Sequence, residues 1–593
     1  MSKYTAPISD MRFVLFDVLE VDRVFADVPH FEAFGRDVYD AVLEEAGKFS
    51  GQVLAPLNPI GDREGCGFDN GAVTTPTGFK EAYRQFVEGG WSGLVAEPEY
   101  GGQGMPEVIG AALKEMLDSA NLSWGNYPLL SHGASEALKH VAEDWQREVF
   151  LKPIVEGRWT GTMCLTEPHC GTDLGLLKTR ADAAPDGTWR IHGTKIFITG
   201  GEHDMAENII HLVLARLPDA PPGTKGISLF IVPKFKVGRD GQLGERNAVS
   251  CGSIEHKMGI KASATCVMNF DGAEAYLIGE PNKGLNAMFI MMNTARLAVG
   301  LQGLGLIERA YQNALAYARD RLQMRALTGP KRPDKPADPI IVHPDIRRML
   351  LTQKAIAEGG RALAYYAYLQ EDLKQRASDE AARQQADDLV SFLTPIVKGV
   401  LTELANECTY HAVQILGGHG YIAEWGQEQL ARDARITTIY EGTTQIQALD
   451  LLGRKILQTR GPGLKLFLGE IGTFCAVNAG NAALSEFIAP LAGLAKEWGQ
   501  LTQEIGTKAQ ANPDEMGAAA VDYLYYAGYV AMAYFWARSV AVLSERHGAE
   551  FAESKRGTAR FYFTRILPRT AMHVAAIRSG SDSLMALPEA AFG

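Results

Sequence analysis

Cysteine is scarce and scattered in this 593-residue chain: Cys66, Cys164, Cys170, Cys251, Cys266, Cys408 and Cys475 form no C-x-x-C pair. That spacing excludes a zinc knuckle and a disulfide framework, and single thiols suit a reducing cytosol, so a cytoplasmic location is expected. Positive charge is also short, with 58 Lys and Arg against 70 Asp and Glu for a net charge of −12. A nucleic-acid binder would carry a basic patch, so no nucleic-acid partner is expected. Long apolar runs are missing too. The longest, Tyr523 to Ala537, is closed by Asp522 and Arg538, short of the ~20 residues that span a bilayer. It reads as a helix buried in a helical core, with a shallow membrane contact as the alternative, and no membrane partner is expected. The opening MSKYTAPISDMRF has no charged start followed by an apolar stretch, so no secretory signal is expected.

Common catalytic signatures are absent as well: there is no Walker A loop, H-E-x-x-H or G-x-S-x-G. Gly300-Leu-Gln-Gly303-Leu-Gly305 is glycine-rich but lies in a helical stretch with no strand before it. These glycines read as close helix packing, and a redox cofactor must be held by something other than a Rossmann loop. No metal is expected.

What is present is an ordinary globular balance, 46% hydrophobic and 22% charged, in a chain about four times the ~150-residue length of one domain. Val38–Val53 places apolar residues three and four apart, which predicts a helix. Gly101-Gly102-Gln103-Gly104 before Pro106 predicts a loop that ends as a helix begins. Past Arg158 the period changes: Asp186-Gly187 before Trp189–His192 is a hairpin signal, and Lys195–Thr199, Ile209–Leu217 and Gly226–Val232 read as strands. The helical period returns after Gly284, is interrupted by the proline-rich Gly329–Pro339, and resumes after the hinge Gly461-Pro462-Gly463. The order helix, sheet, helix, helix predicts an α+β, mainly α, architecture and differs from the alternation of a doubly wound sheet.

Three segments are over-specified for packing alone. Met163-Cys-Leu-Thr-Glu-Pro-His-Cys-Gly-Thr-Asp173 is a strand breaking into a hydroxyl-rich turn, able to offer N–H and O–H donors to a heteroaromatic edge or a phosphate, or to serve as an ordinary β-turn. Val413-Gln-Ile-Leu-Gly-Gly-His-Gly-Tyr421 allows close backbone approach at a helix end, or a plain glycine C-cap. In Arg432–Gln447, Glu441 stands between Ile439-Tyr440 and Gly442-Thr443-Thr444. A poorly solvated carboxylate there would have a raised pKa and act as a base; the alternative is a helix N-terminal acid facing solvent.

Together, T-E-P-x-x-G-T-D, Q-x-x-G-G-x-G-Y and I-Y-E-G-T-x-Q-I-Q, in this order, resemble the acyl-CoA dehydrogenase family over about residues 40 to 457. The resemblance implies a leading extension over 1–35, a helical domain over 36–158, a central β-barrel-like domain over 159–278, a four-helix bundle over 279–460 and an additional helical domain over 461–593. It implies FAD, contacted by Met163, Leu165, Thr166, Gly171 and Thr172, with Phe197 and Thr199 on its other side. Arg321 matches a pyrophosphate-binding arginine that serves the neighbouring subunit. Met324 stands where the family has an aromatic, and Gln414, Gly417, Gly418, Thr443 and Gln445 match adenosine-side contacts. Glu441 aligns with the base that takes the α-proton as the β-hydride leaves to flavin N5, giving a trans-2-enoyl-CoA. Its backbone N–H, with a ribityl hydroxyl, holds the thioester oxygen in the family. The alternative base position is Ala295 here, which leaves Glu441. Arg296 and Asn293 match positions near CoA, the family's aspartate being Asn293 here, and Tyr440 and Gly442 flank the substrate.

The extension and the tail resemble the long bacterial subgroup, which includes 3-methylmercaptopropionyl-CoA dehydrogenases and long-chain acyl-CoA dehydrogenases. That implies a homodimer, an electron-transferring flavoprotein as acceptor, and a medium- or long-chain fatty acyl-CoA of β-oxidation as substrate. The alternatives are 3-methylmercaptopropionyl-CoA, an acyl-CoA oxidase, or a non-catalytic flavin-binding regulator on the same fold.

Overall fold

The structure, a computed structural model, describes residues 3–593. Its contacts divide the chain into two compact units. One comprises Lys48–Met105 and Ala120–Ala298; the other comprises the residues up to Gly47 with Pro106–Ser119 and Val299–Gly593.

The first unit is organised around a seven-stranded sheet of β1 (Trp159–Cys164), β2 (Arg180–Ala183), β3 (Trp189–Thr199), β4 (Asn208–Arg216), β5 (Ile227–Pro233), β6 (Val249–Ile254) and β7 (Thr265–Ile278). Pairing runs β3–β2–β4–β5–β7 and back to β3, a closed ring that accounts for the barrel-like expectation, with β1 added in parallel to β4 and β6 antiparallel to β7. The Asp186-Gly187 signal is realised as the turn joining β2 to β3, with Gly187 at φ +83° and its N–H donating to Ala184 O at 3.1 Å. β4 and β5 are buried on both faces, which is why Ile209–Leu217 reads as an almost unbroken apolar run. Val213, Phe230 and Phe270 fill one side of the sheet, while Leu212, Leu229 and Ile231 join Phe150, Trp159 and Met288 on the other.

In the helical unit, helix Pro344–Arg376 runs beside helix Glu380–Leu416, and the glycine trio lies on the long helix Gly284–Asp320. A Cβ on Gly300 would stand 2.5 Å from Val397 Cγ1, on Gly303 2.8 Å from the Leu401 carbonyl oxygen, and on Gly305 2.9 Å from Ser119 N. Close helix packing is therefore what these glycines provide. Among the described residues, Gly284–Asp320 is the helix whose length and hydropathy would suit a membrane span, but 78% of its most apolar window is buried, as expected of a core helix.

Tyr523–Ala537 lies inside helix Asp514–Ala541 and is almost wholly buried. Its polar tips are satisfied within the interior. Trp498 Nε1 donates to Tyr523 Oη at 2.9 Å, Thr502 Oγ1 lies 2.7 Å from the same hydroxyl, and Trp536 Nε1 donates to Ala355 O at 3.0 Å. Charge is buried here too. Arg361 donates to Glu115 at 2.5–3.1 Å and to Glu308 at 2.9 Å, and also reaches Asp10, which accepts from Lys555 as well.

Candidate active site

Within the β unit, β1 ends at Cys164 and the chain turns back through Pro168. Glu167 and Cys170 exchange backbone hydrogen bonds (2.9 and 3.0 Å), closing a tight loop, and Asp173 Oδ1 accepts Gly175 N–H at 3.1 Å. Ile196 N–H donates to Thr166 O at 2.9 Å, so the loop is tied to β3. Of the predicted flavin contacts, Leu165 is buried, Met163 and Thr166 are half-buried, and Gly171 and Thr172 are exposed.

β3 supplies the second wall. Its pairing with β7 steps from Cys266↔Ile198 to Met268↔Lys195, so β3 carries an extra residue there, a bulge. Phe197 sits in that bulge at φ +60° and is 58% exposed, a left-handed conformation that a bulky residue rarely adopts and that turns an aromatic ring out of the sheet. Thr199, half-buried, follows opposite Thr265. In the same unit Arg296 is buried and Asn293 exposed on the first half of helix Gly284–Asp320, and Ala295 is buried.

The helical unit holds the remaining candidates. Helix Gln427–Thr437 ends in a turn where Tyr440 N–H donates to Ile436 O (3.1 Å) and the Tyr440 hydroxyl donates to Gln302. Burial pushes that hydroxyl well above the usual tyrosine range. Glu441 follows at φ +56° and Gly442 at φ +91°. The backbone around the acid is pinned from behind: Gln447 Nε2 donates to Glu441 O at 3.1 Å and to Gly442 O at 3.3 Å, and Lys398 Nζ donates to Gly442 O at 2.6 Å. Thr443 then accepts Ile446 N–H as the cap of helix Thr444–Leu449, so Glu441 stands outside the helix, half-buried, and is not an N-terminal acid facing solvent.

Gln414 is exposed near the end of helix Glu380–Leu416. Gly417, at φ +59°, caps that helix, so the plain C-cap reading is correct for it, but Gly418 has nothing within 4 Å of a Cβ position and leaves its backbone open. Arg321, Met324, Thr443 and Gln445 are exposed, and Met324 is again left-handed at φ +62°. Eight non-glycine residues have positive φ among the described residues, and Phe197, Met324 and Glu441 are three of them; such strain concentrates at functional sites.

Sequence reasoning missed the buried residues that hold these turns: Lys195, Glu167, Lys398, Gln447, and Asp338, whose carboxylate accepts the N–H groups of Ala326, Lys331 and Arg332 and so organises the proline-rich loop. A signal existed for one. Strand alternation places Lys195 on the inward face of β3, where an ammonium requires a partner.

Within the β unit, the bulged aromatic and the hydroxyl-rich turn suit the planar ring and donor-seeking edge of a flavin, which points to the class of flavin-dependent oxidoreductases. The matched family models agree. Residues 40–158, 162–273 and 282–457 match the N-terminal, middle and C-terminal domains of acyl-CoA dehydrogenase, and 467–588 match the domain described as acetyl-CoA dehydrogenase C-terminal like. The chain is 44% identical over 587 residues to the 3-methylmercaptopropionyl-CoA dehydrogenase of Ruegeria pomeroyi, spanning 98% of this chain and 99% of that one. It is 36% identical over 616 residues to the broad-specificity linear acyl-CoA dehydrogenase FadE5 of Mycobacterium tuberculosis, over the whole of both. Its fold matches the crystal structure of an acyl-CoA dehydrogenase complexed with FAD from Bacillus anthracis with a TM-score of 0.74, at 22% identity over 93% of this chain and 90% of that one. The chain belongs to the acyl-CoA dehydrogenase family, and it is an FAD-dependent oxidoreductase of acyl-CoA thioesters.

Proposed function

We propose that Glu441 is the base of an α,β-dehydrogenation whose substrate is 3-methylmercaptopropionyl-CoA. The observation that carries the base assignment is the turn itself: a half-buried carboxylate on a left-handed backbone, with its own carbonyl held by Gln447 and the next one, of Gly442, held by Gln447 and Lys398. A thioester α-proton is weakly acidic, so its removal needs a base already in position rather than one recruited from solvent. The Glu441 N–H, the donor assigned to the thioester oxygen as enolate-like charge develops, lies between these held carbonyls and Tyr440, which is itself held through its N–H to Ile436 and its hydroxyl to Gln302. FAD, when bound, supplies the acceptor for the β-hydride. In the β unit Leu165, Thr166, Thr172, Phe197 and Thr199 would hold its ring; in the helical unit Arg321 is assigned to the pyrophosphate of the neighbouring subunit's FAD, and Gln414, Gly418, Thr443 and Gln445 to adenosine-side contacts. Arg296 is assigned to the CoA side.

The full-length likeness to the Ruegeria pomeroyi enzyme supports the sulfur-containing substrate. The second reading, a straight medium- or long-chain acyl-CoA, is supported by the likeness to FadE5. An electron-transferring flavoprotein is the acceptor under either reading, and the enzyme works as a cytoplasmic homodimer.

The test is anaerobic flavin bleaching by a panel of straight-chain thioesters and the methylmercaptopropionyl thioester, with peroxide measured in air to separate a dehydrogenase from an oxidase. Glu441→Gln should keep yellow FAD and lose reduction by about 10²–10⁴-fold. Undiminished bleaching in that variant would remove Glu441 from the role.

A further inference from the structure

A buried ion pair lies directly behind the turn assigned to the flavin. Lys195 is fully buried on β3, and its ammonium donates to Leu165 O at 3.0 Å and to Glu167 Oε1 at 2.9 Å. Glu167 accepts further from Thr179 Oγ1 (2.6 Å), Thr179 N–H (3.0 Å) and Lys178 N–H (2.8 Å). Two oxygens thus take one ammonium, one hydroxyl and two amides, a saturated set at a buried carboxylate. Burial pushes the Glu167 carboxyl up, but Lys195 and the Thr179 and Lys178 donors outweigh it and hold it down at about 2. Burial pulls the Lys195 ammonium below the ordinary lysine value against the attraction of Glu167. The carboxylate of Glu167 also lies within 4.8 Å of ligand atoms of His169 and Cys170. The oxygens of Glu167 are already committed to its own donors, and His169 Nε2 pairs with Leu176 O at 3.0 Å.

We propose that Lys195 and Glu167 are positioning residues for the flavin: a charged clamp that fixes the Leu165–Thr172 turn against the Phe197 bulge and sets the electrostatic field there. The clamp ties both ends of the assigned binding wall. Lys195 holds the carbonyl of Leu165 while its neighbour Ile196 N–H holds that of Thr166, and Phe197 comes next in the chain. Glu167 extends the hold to Lys178 and Thr179, which lead into β2. An apolar pair of similar volume could fill the same space, so the two charges serve something other than packing. The proposal rests on the reading that this turn holds FAD.

The test uses FAD-depleted full-length protein reloaded with FAD, comparing Lys195→Met, Glu167→Gln and the double variant. Lys195→Met should raise the FAD dissociation constant by about tenfold or more, because it leaves a buried carboxylate and carbonyl short of a donor. The double variant should be no worse than the worse single, the mark of two groups acting as one unit. On the reloaded proteins the flavin midpoint potential should move in opposite directions: more negative when the cation is removed, more positive when the anion is. A purely structural pair would lower the melting temperature and leave affinity, visible spectrum and potential unchanged, and that result would overturn the proposal. If Lys195→Met does not fold, Thr179→Val removes one donor from Glu167 and should give a smaller rise in the dissociation constant; an unchanged value there overturns the proposal equally. Wild-type protein that takes up no FAD would instead dismiss the flavin reading beneath it.

Discussion

Asp10→Asn should loosen two segments that lie at opposite ends of the chain. Asp10 accepts from Arg361 and from Lys555, and Lys555 also donates to Glu358 at 2.7 Å while its ammonium lies over the rings of Phe13, Phe551 and Trp536 at 5.1, 5.4 and 5.7 Å. Burial raises the Asp10 carboxyl's pKa, but Lys555 and Arg361 pull harder, leaving it at about 2 against an ordinary 3.8. At 1.36 kcal/mol per unit that difference corresponds to about 2 kcal/mol of stability. Because the folded value lies below the unfolded one, the contribution is complete above about pH 4 and is lost as pH falls through about 2. Breaking a buried pair can cost about 3–5 kcal/mol. Here the loss should stay near the lower figure, since Arg361 keeps Glu115 and Glu308 and Lys555 keeps Glu358. A chain of this size need not unfold in one step, so the assay must be local. Hydrogen exchange at pH 7 should accelerate in helices Ile8–Arg12 and Ala549–Phe561 while strands of the β unit keep their protection. Between pH 4 and pH 2 the difference between wild type and variant should shrink. Equal exchange in both helices at pH 7 would refute the reasoning.

Gly303→Ala would drive a methyl to 2.8 Å from the Leu401 carbonyl oxygen and 2.9 Å from its carbon, backbone atoms that cannot rotate away. Overpacking of this kind costs about 1–3 kcal/mol; thermal melting should fall, and FAD lost without any fall in melting would contradict the packing role. Tyr523→Phe deletes the acceptor of Trp498 Nε1 and the partner of Thr502 Oγ1 in the tail's interior. Leaving that indole N–H unsatisfied should cost about 1–3 kcal/mol, seen as altered Trp fluorescence and faster exchange in helix Ser485–Ala511, with flavin reduction by acyl-CoA unaffected.

The order of helical and β segments was readable because each depends on local periodicity. Lys195–Thr199 is dense in β-favouring residues, and the glycine trio lies where a helical period is already running. The predicted helix over Val38–Val53 appears as Arg36–Phe49 followed by a wider turn at Ser50–Leu54, a boundary that no local propensity marks. The site's turns were also readable, since glycine, proline and hydroxyl residues crowd Thr166–Asp173 and Glu441–Thr444. What holds those turns was not. Lys398 and the carbonyl it grips are 44 residues apart, Lys195 and Glu167 are 28 apart, and Asp10 and Lys555 are 545 apart. Each is an ordinary charged residue whose meaning depends on which distant group meets it after folding.

The same limit explains why the backbone at Phe197 and Glu441 could not be foreseen. Propensity argues against a left-handed conformation for either residue, so local sequence alone would place both in regular structure. Each is held instead by its surroundings: Phe197 by an extra residue in β3 opposite β7, and Glu441 by Gln447 and Lys398 gripping its own carbonyl and that of Gly442. Such a conformation costs about 1–2 kcal/mol per residue, and it persists where supporting contacts over-determine it. That cost accompanies an aromatic surface and an acid presented at fixed angles. The turns that carry these residues are therefore legible from the sequence, while the strain that aims them comes from a register step between two strands and from side chains that meet the turn only after folding.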